Sequence, residues 1–165
     1  MDSAHLEKLH LVNELSSLSQ ISEPMGDSAM SLTGGCYCGA IRYEAEGDVV
    51  RRGQCHCREC QYISGGGANF FLLVPQDGFV FSKGAPARFA RSDLAEPVTR
   101  EFCFTCGTHL ATRRTDTPFV ILKAGTLDDP SVMEPVQMAI FTKDMQPYHL
   151  IGEDIPCFEE LPPRR

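Results

Sequence analysis

Gly34-Gly35-Cys36-Tyr37-Cys38-Gly39 and, about 65 residues further on, Cys103-Phe104-Thr105-Cys106-Gly107 are two cysteine pairs set among glycines. Zinc favours tetrahedral sulfur ligation, and a Cys-x-x-Cys turn brings two thiolates toward one ion. Gly107 lets the chain leave Cys106 through a positive φ. Cys36-x-Cys38 is a tighter version of the same device. In a regular strand its side chains would share a face but stand far apart for one ion; flanking glycines let the backbone curl and close that gap. Two pairs make one closed four-thiolate site, so Cys36, Cys38, Cys103 and Cys106 are expected to hold a structural zinc. It would staple the start of the folded body to its middle. Structural zinc contributes on the order of 10–16 kcal/mol of apparent folding free energy.

Between the pairs lies Cys55-His56-Cys57-Arg58-Glu59-Cys60. Three thiolates within six residues can face one ion and leave a coordination position for water or a substrate sulfur, the usual form of a catalytic zinc. A thiol coordinated there is deprotonated at neutral pH. It could attack an aldehyde carbonyl while the metal or a nearby donor steadies the developing charge on oxygen. Cys55, Cys57 and Cys60 are therefore the candidate catalytic residues and the candidate ligands of a second zinc. Two rival readings stay open on the residues alone: His56, His109 or another group closes the site as inert Cys3His zinc, or the thiols form a redox disulfide. Arg51, Arg52 and Arg58 bracket the triplet, either offsetting thiolate charge or gripping the carboxylates of an anionic thiol. Cys157 reads as an ordinary thiol, Asp128-Asp129-Pro130 as a Pro-terminated turn, and Phe70-Phe71 as core. His5, His10 and His149 carry no signal.

The 165 residues suffice for one domain with a real core. A formal charge of −7 argues against a nucleic-acid partner. No run reaches the roughly 18 apolar residues that span a bilayer, and the acidic N-terminus lacks a signal-peptide pattern. A cytoplasmic location is the expectation, and there clustered cysteines bind metal or do chemistry rather than form disulfides. Residues 1–30 read as an N-terminal extension: Leu6, Leu9, Val12, Leu15 and Leu18 recur every third residue, which fits an amphipathic helix, used for homodimer contacts or left mobile. From about Ser31 the text is mainly β. Short apolar runs at Ala40–Glu44, Asn69–Val74, Phe79–Ser82, Ala87–Ala90, Val98–Phe104, Leu110–Arg113, Phe119–Ala124 and Val136–Thr142 are punctuated by Gly, Pro or Asp. Arg58–Ile63 alone reads as a short helical turn.

Order, spacing and flanking residues of the clusters resemble the glutathione-dependent formaldehyde-activating enzyme (Gfa) family, whose members include centromere protein V-like proteins. The resemblance runs over residues 31–162. Besides the three clusters it rests on Ser64-Gly65, Phe102 and Thr108 beside the second pair, Gly125-Thr126-Leu127-Asp128-Asp129-Pro130 and Pro156-Cys157-Phe158-Glu159. It implies a mainly β, Mss4-like fold of short antiparallel strands stapled by the four-cysteine zinc, with two zinc ions per chain. The implied partners are a small-molecule thiol, glutathione, and an aldehyde such as formaldehyde, joined to S-hydroxymethylglutathione by a carbon–sulfur lyase-type enzyme. A non-catalytic zinc-binding interaction module of the same fold and a thiol redox enzyme are the alternatives. The chain departs from the family pattern at Ala139-Ile140-Phe141, where many members place a histidine before the Ile-aromatic pair, and at Tyr148, where tryptophan is common.

Overall fold

The structure, a computed structural model, describes residues 30–163; the expected N-terminal extension lies, save for Met30, outside the described residues. Among the described residues eleven strands and one short α-helix follow in the order β1 (Ser31–Gly35), β2 (Arg42–Glu46), β3 (Arg51–Cys55), α1 (Arg58–Ile63), β4 (Asn69–Pro75), β5 (Phe79–Lys83), β6 (Ala87–Phe89), β7 (Thr99–Phe102), β8 (His109–Arg113), β9 (Phe119–Lys123), β10 (Ala139–Ile140) and β11 (Cys157–Phe158). They form a three-stranded sheet, β1-β2-β5, and an eight-stranded sheet, β11-β10-β3-β4-β9-β8-β7-β6. This is the expected mainly β fold of short antiparallel strands, with one addition: β10 runs parallel to both β3 and β11. No described helix is long and apolar enough to cross a membrane.

Alternation along the central strands explains the layering, since successive side chains of a strand point to opposite faces. Leu72 and Val74 of β4 and Val120 and Leu122 of β9 point to one face. There they pack with Leu32, Tyr43 and Ala45 of the small sheet into the main core. Close approach of the two sheets depends on Gly34: a Cβ there would lie 2.2 Å from Tyr43 Oη and 2.3 Å from the Thr126 carbonyl oxygen. Tyr43 is buried and its hydroxyl pairs with Thr126 Oγ1 at 2.9 Å. Gly34→Ala should therefore force the sheets apart and lower unfolding free energy by about 1–3 kcal/mol, the usual cost of overpacking; a denaturant titration at constant metal load measures it.

The opposite face of the large sheet carries the other half of the alternation. Arg51, Gly53 and Cys55 of β3 stand beside Leu73, Phe71 and Asn69 of β4, and Phe71 and Leu73 stand beside Lys123 and Ile121 of β9. Among the described residues no second sheet covers this side. Loops frame it instead, and Cys55 at the end of β3 delivers the cysteine triplet to its edge.

Candidate metal centres

The first cluster forms where β1 ends. Cys36 N–H donates to the Ile41 carbonyl at 3.0 Å and Gly39 N–H donates to the Cys36 carbonyl at 3.0 Å, which curls the chain around the sulfurs. On the β7–β8 turn, Gly107 N–H donates to the Cys103 carbonyl at 2.8 Å, and Gly107 has φ 72°. The two turns meet, with Tyr37 N–H donating to Thr108 Oγ1 at 3.2 Å. Sγ separations are 3.5 Å for Cys36–Cys38 and 3.8 Å for Cys38–Cys103. Four sulfurs about 2.3 Å from a tetrahedral zinc would stand about 3.8 Å apart, whereas a disulfide needs about 2.05 Å. The donor set fits a metal. Thr108, whose hydroxyl lies 3.2 Å from Cys106 Sγ, pulls that thiol down to about 5.

The second cluster is built on a strand end and a helix start. Cys55 closes β3. Cys57 is the N-cap of α1, its Sγ accepting the Cys60 N–H at 3.4 Å, and Cys60 sits in the first turn. A capping residue aims its side chain at the first helical turn, so this cap turns Cys57 Sγ toward Cys60. The three Sγ atoms lie within 4.8 Å of one another. Among the described residues no histidine or carboxylate brings a ligand atom within that distance of all three. The sulfurs share one patch: hydrogen bonding from Cys55 and Cys60, helped by the charge of Arg100, favours the thiolate at Cys57, while Cys57, Cys60 and burial push the Cys55 thiol upward.

His56 faces away from the triplet. Its Nδ1 lies 2.9 Å from Nδ1 of His149, and His149 Nε2 lies 2.8 Å from the Gly66 carbonyl. A carbonyl only accepts, so His149 carries its hydrogen on Nε2. Neutral His149 then accepts at Nδ1, and His56 donates to it. Both rings are buried. His149, without signal in the sequence, is thus the partner of a residue 93 positions away. Its ring ties the glycine loop to the metal loop.

A cleft of about 630 Å³ opens from the triplet across the sheet face, with Phe71, Leu73, Ile121 and Met138 as apolar wall. Phe71 is buried as expected of core, yet it belongs to this wall, whereas Phe70, also expected in the core, is 43% exposed. Of the three arginines around the triplet only Arg51 lines the cleft. Arg52 Nε donates to the Val132 carbonyl at 2.6 Å, and Arg58 lies over the Tyr62 ring at 5.4 Å and hydrogen-bonds Gln61. Asp128 accepts from Thr33 at 2.6 Å and pairs with Arg42, and Asp129 caps Ser131, so the Asp128–Asp129 turn is structural. Cys157 is exposed in β11.

The sequence reading did not single out Lys123, Arg100 and Thr112, which also line the cleft. Burial pushes the Lys123 ammonium down to about 8, with the triplet thiolates pulling the other way. A lone lysine at the end of the apolar run Phe119–Ala124 was the available signal. His109 stacks on Phe102 with ring centroids 5.7 Å apart, and its Nδ1 is buried without a hydrogen-bond partner. Burial, then the charges of Lys123 and Arg100, push it down to about 4. Its unfolded value is about 6.5, so the unfolded chain takes up the proton first. This contribution to stability is complete above pH ~6.5 and drains away as pH falls toward the folded value. His109→Gln should flatten that part of the stability–pH curve; acid loss of metal is common to both proteins, so the difference between their curves isolates the histidine.

A two-sheet β fold that presents one four-cysteine and one three-cysteine cluster defines a thiol-rich class of protein whose clusters could each hold a metal ion. Residues 31–144 match the family model described as glutathione-dependent formaldehyde-activating enzyme. The chain belongs to this family. The fold is also similar to the crystal structure of a Rhodobacter sphaeroides protein, with a TM-score of 0.50 and 18% identity, covering 63% of this chain and 96% of that one.

Proposed function

We propose that the folded body over residues 31–162 is a cytoplasmic enzyme that joins glutathione to an aldehyde such as formaldehyde, giving S-hydroxymethylglutathione. Cys36, Cys38, Cys103 and Cys106 would hold a structural zinc, and Cys55, Cys57 and Cys60 a catalytic one. The observation that carries this reading is the incomplete ligand set of the triplet, three sulfurs with no fourth ligand from the described residues, beside an apolar cleft. Zinc bound there would keep an incoming thiol ionised at neutral pH.

The chain's own residues supply the remaining requirements. Phe71, Leu73 and Ile121 exclude water from one side of the reacting atoms. Arg51 stands four residues before Cys55 on β3, about 13 Å along the strand, and is placed to meet a carboxylate at the far end of an extended thiol. The reaction balances without a redox partner: the thiol sulfur bonds to the carbonyl carbon, the carbonyl π pair moves to oxygen, and the proton lost by the thiol ends on that oxygen. Run backwards, it is a carbon–sulfur lyase. Cys57→Ser should remove the catalysed part of this turnover while leaving the protein folded; turnover equal to the unaltered protein's, with one metal lost, would sink the assignment.

A further inference from the structure

Three polar groups on the cleft wall have no assigned contact with either reactant in the reaction described above. Lys123 is 6% exposed, and its ammonium makes no hydrogen bond or ion pair with a described carboxylate. Thr112 is 4% exposed, and its Oγ1 is buried with no hydrogen-bond partner. Arg100 is largely buried and reaches Glu59 Oε2 at 3.2 Å through Nη2. Glu59 is itself shared with Arg91 at 3.2 Å. A buried charge or hydroxyl without a partner is costly, and such groups are normally satisfied by something.

Strand register brings the three together. Arg100 of β7 stands opposite Thr112 of β8, and Thr112 stands opposite Ile121 of β9. Lys123 is two residues beyond Ile121 and so on the same face, a diagonal neighbour of Thr112. Diagonal neighbours are about 7–8 Å apart, within reach of a lysine side chain and a hydroxyl that converge on one small group. Glu59 is shared between Arg100 and Arg91, so Lys123 and Arg100 share this wall with an already engaged carboxylate, with the triplet thiolates as the other counter-charge to Lys123. Positive charge and several N–H and O–H donors match a carboxylate, whose two oxygens accept about four hydrogen bonds.

We infer that Lys123, Arg100 and Thr112 form a carboxylate-binding subsite beside the cysteine triplet, so that one of the two reactants presents a carboxylate to this wall. The inference rests on the reading of the triplet as the reaction centre and adds a specificity determinant to it. The carboxylate comes either from the thiol or from an oxo-acid used as the carbonyl partner.

The test is calorimetric binding to the metal-loaded protein, using two matched pairs of probes. N-acetylcysteine is compared with N-acetylcysteamine, which lacks the carboxylate, and glyoxylate with glycolaldehyde. Lys123→Met should weaken the carboxylate member of at least one pair by about tenfold or more, the scale of one hydrogen bond to a charged group. Its neutral counterpart should bind as before, and metal content should not change. Thr112→Val, which keeps the side-chain shape, should weaken the same probe to a smaller degree. The affected pair identifies the source of the carboxylate. Equal weakening of both members would overturn the inference, because Lys123 would then act only as counter-charge to the thiolates; so would no change in either pair. Binding is read without turnover, so a protein that fails the Cys57→Ser test can still pass this one, and the two failures remain distinct.

Discussion

Cys103→Ser should leave the chain without a cooperative folded state. Cys103 is 1% exposed and belongs to the main core as well as to the four-cysteine cluster. Its turn is the point at which the β7–β8 hairpin is fastened to the end of β1. The apparent stabilisation by a structural zinc, about 10–16 kcal/mol, is as large as the whole net stability of a typical domain, about 5–15 kcal/mol. A serine hydroxyl is a poor replacement for a thiolate ligand, and it also places a polar atom in the core. Loss of the thermal unfolding transition, with the same loss on treating the unaltered protein with a strong chelator, is the expected outcome. A transition within a few degrees of the original would show that packing alone holds the two sheets.

Cys57→Ser is expected to do the opposite: the fold survives and the chemistry goes. Cys57 is the N-cap of α1, and serine is at least as good a cap, so α1 should keep its start. The main core shares no residue with the triplet. The catalysed rate, after subtraction of the direct thiol–aldehyde reaction, should fall about a hundredfold or more, the scale of losing one strong interaction made at the reacting atoms. One of two bound metals should become labile. Steady-state rates with glutathione and formaldehyde, beside metal analysis of the same preparation, measure both. Loss of fold together with activity would mean that the triplet is a second structural staple.

The clusters are legible in the sequence because their geometry is local: Cys-x-Cys and Cys-x-x-Cys with flanking glycines curl on their own, whatever sheet they later join. The runs that became β4, β5, β8 and β9 are legible for a similar reason, since each carries enough apolar or aromatic residues to declare a strand. Three strands are not: β1, β3 and the two-residue β11. Ser31–Gly35 ends in a glycine pair that reads as a turn, yet Gly34 is there to let Tyr43 approach. Arg51–Cys55 has no β-branched or aromatic residue at all, and becomes a strand of the large sheet because β4 and β10 flank it.

The functional wall is less legible still. Lys123, Thr112 and Arg100 lie on three strands, and only the register of β7, β8 and β9 sets them side by side. A register shift between Glu101 and Phe102 accompanies the placing of both Leu110 and Ala111 in the main core, an arrangement that strict alternation in the sequence does not foretell. His56 and His149 likewise meet across 93 residues. Spacing in the sequence reports ligands that are near in the chain; it does not report what faces them.

Zinc-edge X-ray absorption on anaerobically prepared protein distinguishes one closed and one open cluster from two closed ones. Four and three cysteines divided between two ions predict two zincs per chain with an average between three and four sulfurs each, rising to four when excess glutathione is added. An average that includes a nitrogen ligand from the chain and does not move with glutathione would contradict the account, because the triplet would then be a second closed site.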